Sequence, residues 1–157
     1  MMFSLPDSKF FLPNDNFLAF MEQFRGRLIY DIGCGCGHVS RLLNLNGFDM
    51  LAIDANYRDS EEFPVIRKDA TSIEFAKDSV VMMCRPCHGN FPGAVMESAI
   101  ESSARWFVYV GLEKNVYEDL GYFVAGFEDI FAGNLGKDGE VGIIFDLSVL
   151  RRIRGVF

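Results

Sequence analysis

The stretch from Leu28 to Asp54 constrains the fold more than any other part of the chain. Leu28-Ile29-Tyr30-Asp31-Ile32 reads as a buried strand that opens at once into Gly33-Cys34-Gly35-Cys36-Gly37, and a helix, a second strand and an acid follow. Glycines at a strand end let the backbone turn through left-handed conformations and let a ligand approach main-chain atoms. A helix starting just beyond them aims its free N–H groups and positive dipole end at the same point, which suits an anionic group. An acid about 20 residues past such glycines accepts ribose hydroxyls in nucleotide-binding crossovers, and Asp54 stands there. The segment predicts a β-α-β unit that holds a nucleoside-containing cofactor. Without a ligand, the same residues give a tight strand-to-helix turn in which Asp31 and Asp54 bond backbone at strand ends. The order of strand, glycines, helix, strand and acid favours the cofactor site.

Glycine spacing separates the cofactors. The dinucleotide fingerprint places glycines first, third and sixth, the last for close contact between helix and strand. Here they fall first, third and fifth, and the sixth position is His38, whose side chain is expected to crowd that contact. NAD is disfavoured, and an NAD- or FAD-binding protein with altered spacing is the weaker alternative. Asp31 followed by Gly33, Gly35 and Gly37 resembles the first motif of the class I S-adenosylmethionine-dependent methyltransferases, hydrophobic-x-Asp-x-Gly-x-Gly-x-Gly. That resemblance implies S-adenosylmethionine as the cofactor. Gly33, Cys34, Gly35 and Gly37 would lie against its methionine part, with Asp31 orienting the amino group, Asp54 accepting from the ribose and Ala55 packing on the adenine face. It also selects Asp69, the acid after the third strand, for the adenine amino group, and Ala70 for the ring through its N–H. Asp69 followed by Ala and Thr reads equally well as a turn or helix cap.

The rest of the chain alternates between strands and helices. Asn14 or Asp15 caps a helix carrying Phe17, Phe20, Met21 and Phe24 at helical spacing, which Arg25-Gly26-Arg27 ends. Val39, Leu42 and Leu43, with Leu45 as a further candidate, form one face of the helix after the glycines, and Asn46-Gly47 stops it. Strands are expected at Phe48 to Ile53, Pro64 to Arg67, Ser79 to Cys84 and Arg105 to Val110, with a helix from Pro92 to Ala104. A short helix at Asn115 to Leu120 precedes apolar runs at Phe123 to Phe131 and Val141 to Leu147, which read as an antiparallel pair across a Gly- and Asp-rich connection. The expected fold is α/β: a doubly wound, mostly parallel seven-stranded sheet with a C-terminal antiparallel hairpin and helices on both faces. A chain of 157 residues can build one such domain, residues 1–157, with 1–26 as an N-terminal helical segment covering the cofactor edge. Phe10, Phe11 and Phe17 of that segment read first as core residues. The basic tail Arg151-Arg152-Ile153-Arg154 reads as a solvated terminus.

Open α/β sheets bind ligands at the carboxyl ends of their strands. Arg85-Pro86-Cys87-His88-Gly89-Asn90-Phe91 follows the fourth strand there, and by resemblance it faces the transferred methyl group. Methyl transfer needs alignment and, for some acceptors, a base. The ordinary pKa of histidine lies near neutrality, which makes His88 the candidate base, against a loop histidine bonded to backbone; Arg85 is the other catalytic candidate. Methyltransferases acting on nucleobases or protein amides usually carry Asp or Asn, Pro-Pro, then Tyr or Phe at this point, and this chain departs from that pattern. The acceptor stays open, and a methyltransferase-like module that holds cofactor without turnover is the second reading.

Cys34-x-Cys36 and Cys84-x-x-Cys87 invite a zinc reading. Turning Cys34 and Cys36 toward a metal would distort the glycine loop, so no metal is expected and the thiols read as free and largely buried. Cys84-Arg85-Pro86-Cys87-His88 also spells a haem-attachment string, which requires export, and Met1 to Asp7 carries no export pattern. The net charge of −7 leaves no broad basic field, which disfavours nucleic acid and favours a small-molecule or protein acceptor. No run approaches membrane-spanning length, and a cytoplasmic location is expected.

Overall fold

The computed structural model describes residues 10–56, 63–86, 89–124 and 131–155, with backbone only for 122–124 and 131. Helix α1 (Asp15–Met21) begins where the Asn14 side chain accepts the Phe17 N–H at 3.3 Å, and it buries Phe17 and Met21 one turn apart. A 3-10 turn, Glu22–Phe24, leads to β1 (Leu28–Ile32), then α2 (His38–Leu45) and β2 (Asp49–Ile53). There follow β3 (Val65–Ile66), a 3-10 turn at Ala70–Ser72, β4 (Val80–Cys84), α3 (Phe91–Glu101) and β5 (Trp106–Gly111). The chain continues through α4 (Glu113–Val124), β6 (Phe131–Ala132), β7 (Val141–Asp146) and α5 (Leu147–Ile153).

The strands form one mixed sheet in the order β3-β2-β1-β4-β5-β7-β6. Neighbours from β3 to β5 run parallel, whereas β7 is antiparallel to both β5 and β6. The edge members β3 and β6 are two-residue ladders, so β1, β2, β4, β5 and β7 make up the body of the sheet. Connections leave β1 toward one edge and β4 toward the other, which places the switch of strand order between β1 and β4. Ligands bind outside the strand ends at such a point.

Side chains alternate across the sheet with the strand period. In β4 Val80 and Met82 face Phe17, Met21, Val39 and Leu43 of α1 and α2, while Val81 and Met83 face Val95, Met96 and Leu120 of α3 and α4. Both faces are therefore covered, and β4 and β5 read as continuous apolar runs for that reason. Asp31 shares the face of Ile29, toward α2.

Three expectations need correction. The strand expected from Phe123 to Phe131 begins instead as the end of α4, which buries Val116 and Leu120 one turn apart and kinks at Leu120 (φ −133°, ψ 15°). Tertiary burial of that face overrides the strand-like Gly-Tyr-Phe-Val run; residues 125–130 lie outside the described residues, and only Phe131–Ala132 pairs with β7. The basic tail ends helix α5 and is solvated only in part: Arg152 and Ile153 are exposed, whereas Arg151 is half-buried. Its Arg151 guanidinium donates to the carbonyls of Ala99, Ile100 and Ala104, which ties α5 to the end of α3 and the turn after it. Phe11 and Phe17 are core as expected, but Phe10 is 58% exposed.

Candidate functional site

Gly33, Gly35 and Gly37 all take positive φ, at +70°, +59° and +85°, so the loop after β1 is a succession of left-handed turns that other residues resist. It is held from β2. The Ile53 carbonyl accepts the Gly33 N–H at 2.8 Å, and Asp54 Oδ2 accepts the Gly35 N–H at 2.9 Å. The other Asp54 oxygen accepts the Asn56 N–H at 2.8 Å. An ionised carboxylate offers about four lone-pair sites, so this half-buried group keeps acceptor capacity for hydroxyls after bracing the loop. Ala55 lies exposed beside it.

Asp31 is 1% exposed, and its Oδ2 accepts the Ser40 hydroxyl at 2.7 Å. Burial pushes its carboxyl up to about 6, and the Ser40 hydrogen bond opposes that rise. Ser40 was not legible as a partner, although a hydroxyl on the apolar face of α2, between Val39 and Leu43, is the signal that marks it.

His38 does not crowd the helix–strand contact. Its ring turns toward the N-terminal segment, with Nε2 2.6 Å from the Phe11 carbonyl oxygen and Nδ1 3.5 Å from Cys36 Sγ. Gly37 supplies the close contact instead: a Cβ there would stand 3.0 Å from Phe63 Cβ and 3.4 Å from Val65 Cγ2. Gly33 and Gly35 are open toward solvent, flanked by Phe91 and Phe10 at 3.6 and 4.0 Å from their Cβ positions. Phe10 belongs to the segment expected to cover the site and Phe91 ends the segment expected to face the methyl group, but the glycine that each ring borders is not readable from spacing.

Asp69 caps the 3-10 turn at Ala70, its Oδ1 accepting the Thr71 N–H at 2.9 Å and hydroxyl at 2.8 Å. These bonds hold its carboxyl below the usual range. Asp69 is exposed, while the Ala70 methyl belongs to the core.

Arg85 is not available as a free cation. Its Nη1 lies 3.2 Å from Asp138 Oδ2 and 3.3 Å from Glu140 Oε2, and the Glu140 side chain is fully buried. Arg85 therefore docks the connection between β6 and β7 onto the end of β4. Its N–H also bonds the Val110 carbonyl at 2.7 Å, with φ at +47°. Cys87 and His88 lie outside the described residues. Cys34 is buried, and burial drives its thiol and that of Cys84 well up; Cys36, by contrast, is exposed, against the expectation of burial. Among the described residues no group of three or more His, Cys, Asp and Glu side chains is placed to hold a metal, and no helix is long and apolar enough to cross a membrane.

No protein-family model and no curated protein matches the sequence. Solved structures do. Protein 1320 of Thermoplasma acidophilum superposes with a TM-score of 0.60 at 15% identity over 83% of this chain and 86% of that one. The magnesium protoporphyrin IX methyltransferase ChlM of Synechocystis PCC 6803, with bound SAM, gives 0.53 at 14% identity over 83% and 74%. The 23S rRNA methyltransferase ErmE gives 0.57 at 11% identity over 87% and 69%. The chain thus has the fold of the class I methyltransferases.

Proposed function

We propose that the chain binds S-adenosylmethionine at the Gly33–Gly37 loop and transfers its methyl group to an acceptor. The observation that carries this reading is the pair of acids on the loop: Asp31 beneath it and Asp54 bracing it, with the open faces of Gly33 and Gly35 between them. Asp31 is suited to the cofactor's ammonium and Asp54 to its ribose hydroxyls. Gly33, Cys34, Gly35 and Gly37 offer main chain to the methionine part, Ala55 an apolar contact and Asp69 with Ala70 the adenine edge. The bound cofactor supplies an electrophilic methyl on a sulfonium. The chain's part is to align the acceptor, exclude water and, through His88, take a proton where the acceptor must lose one. The position of Phe10 above Gly35 supports residues 1–26 as a cover for the cofactor edge.

A small-molecule or protein acceptor fits better than nucleic acid. A groove of about 400 Å³ between α3 and α4 is lined by Asn90, Glu97, Tyr117, Glu118 and Asp119, with no Lys or Arg among the described residues of its lining to hold a phosphate. A cofactor-holding module without turnover is the second reading, favoured by the commitment of Arg85 to Asp138 and Glu140.

Parallel calorimetric titrations with S-adenosylhomocysteine, S-adenosylmethionine and NAD test the first step. Binding of the two sulfur compounds and not of NAD is expected, and binding of NAD alone would overturn the reading. Transfer of labelled methyl to an acceptor panel separates enzyme from module. His88→Ala should then slow turnover far more than it weakens cofactor binding.

A further inference from the structure

Cys36 on the glycine loop and His38 at the start of α2 have no part in methyl transfer as read above. The Cys36 thiol is exposed and lies 3.5 Å from His38 Nδ1, while His38 Nε2 is 2.6 Å from the Phe11 carbonyl oxygen. A carbonyl oxygen only accepts, so Nε2 carries hydrogen and donates to it. In the neutral ring Nδ1 then presents its lone pair to the sulfur. The Phe10 ring stands edge-on to the imidazole, with centroids 6.3 Å apart. Nucleophile, base and orienting group follow one another here, the arrangement that activates a thiol. Cys34 is buried and Cys84 largely so, and burial keeps both in the inert thiol form.

We propose that Cys36 and His38 form a thiol-exchange site that takes low-molecular-weight disulfides. Cys36 Sγ attacks one sulfur of RS–SR while its proton passes to His38 Nδ1. The Cys36–S–SR bond forms as the S–S bond breaks, and the departing RS⁻ recovers the proton from the imidazolium as RSH. The Cys36 thiol is oxidised, half of the small disulfide is reduced, and nothing else is consumed. The adduct sits between Gly35 and Gly37, on the open side of the loop.

The test exposes the folded chain to glutathione disulfide and maps adducts by peptide mass spectrometry over time. A synthetic peptide of residues 30–41 serves as the reference for an unassisted Cys36. One glutathione on Cys36, removed by dithiothreitol and formed at least tenfold faster than in the peptide, is expected. His38→Asn should bring the Cys36 rate down to that of the peptide while leaving the far-ultraviolet circular dichroism unchanged. A folded-chain rate no faster than the peptide's overturns the proposal, as does faster labelling of Cys34, Cys84 or Cys87, or a folded His38→Asn variant that reacts like the parent. Should that variant unfold, the comparison of folded chain with peptide decides alone.

Discussion

The carboxylate of Asp54 accepts the main-chain N–H of Gly35 at 2.9 Å, so the acid that ends β2 fixes the loop that ends β1. One side chain is thereby both a brace and a candidate ligand group, and its mutants must be read for both. Asp54→Ala should lower the unfolding free energy by about 1–2 kcal/mol and weaken S-adenosylhomocysteine by roughly 10- to 100-fold. Asp54→Asn retains an acceptor for Gly35 and should recover most of the stability but little of the affinity. Urea melts and calorimetry on both variants check this; full affinity in the Asn variant would leave Asp54 as a brace only.

The three loop glycines should rank by what surrounds them. Gly35→Ala meets only backbone strain at φ +59°, on the order of 1–2 kcal/mol. Gly37→Ala adds a Cβ 3.0 Å from Phe63 Cβ and should cost more, by about 1–3 kcal/mol further. Denaturant midpoints give the order, and a Gly37 variant as stable as the Gly35 variant would show that β3 yields freely.

The pH dependence of stability follows from Asp31. Its folded carboxyl titrates at about 6 against 3.8 ordinarily, so the folded chain binds the extra proton in that window and its stability falls as pH rises from about 4 to 6. Above pH 6 the buried charge costs on the order of 3 kcal/mol. Asp31→Asn should therefore be the more stable protein at pH 7.5, with the difference shrinking toward pH 4. Cofactor affinity should move the other way, weakening as pH drops through 6 because an ammonium group needs the carboxylate. Thermal melts and titrations at pH 5 and 7.5 measure both, and parallel profiles for parent and variant would remove Asp31 as the source.

Arg85→Met should leave the Glu140 carboxylate buried without its partner and cost about 3–5 kcal/mol. The double variant Arg85→Met with Glu140→Gln should regain most of that loss. If the single variant is nearly neutral in a urea melt, the Arg85 contact is not holding the connection between β6 and β7.

Legibility in the sequence depended on how local each signal is. The loop from Gly33 to Gly37 and its position between β1 and α2 were readable because strand period, left-handed glycines and the following helix all act within a dozen residues. The pairing of Asp54 with Gly35 was foreshadowed only as an acid at the correct distance. Ser40 under Asp31, Phe91 beside Gly33 and Glu140 under Arg85 were not visible, because each contact joins segments whose approach the sheet alone decides. His38 was misjudged for a related reason. Its place in the fingerprint was read, but the direction of its side chain is set by the Phe11 carbonyl, which the N-terminal segment brings from 27 residues away. The helical end of α4 was hidden because Tyr122, Phe123 and Val124 favour strands intrinsically, while the chain resumes helix just past the kink at Leu120.

Strand β7 lies inside the sheet, between β5 and β6, although it follows both of them in chain order. Until residues 141–146 leave the ribosome, the long apolar edge of β5 has no partner, and it is the sort of edge on which nascent chains stick to one another. Cotranslational folding can settle the half of the sheet that bears the glycine loop, but a stall before β7 would release a chain with a formed loop and an uncapped edge.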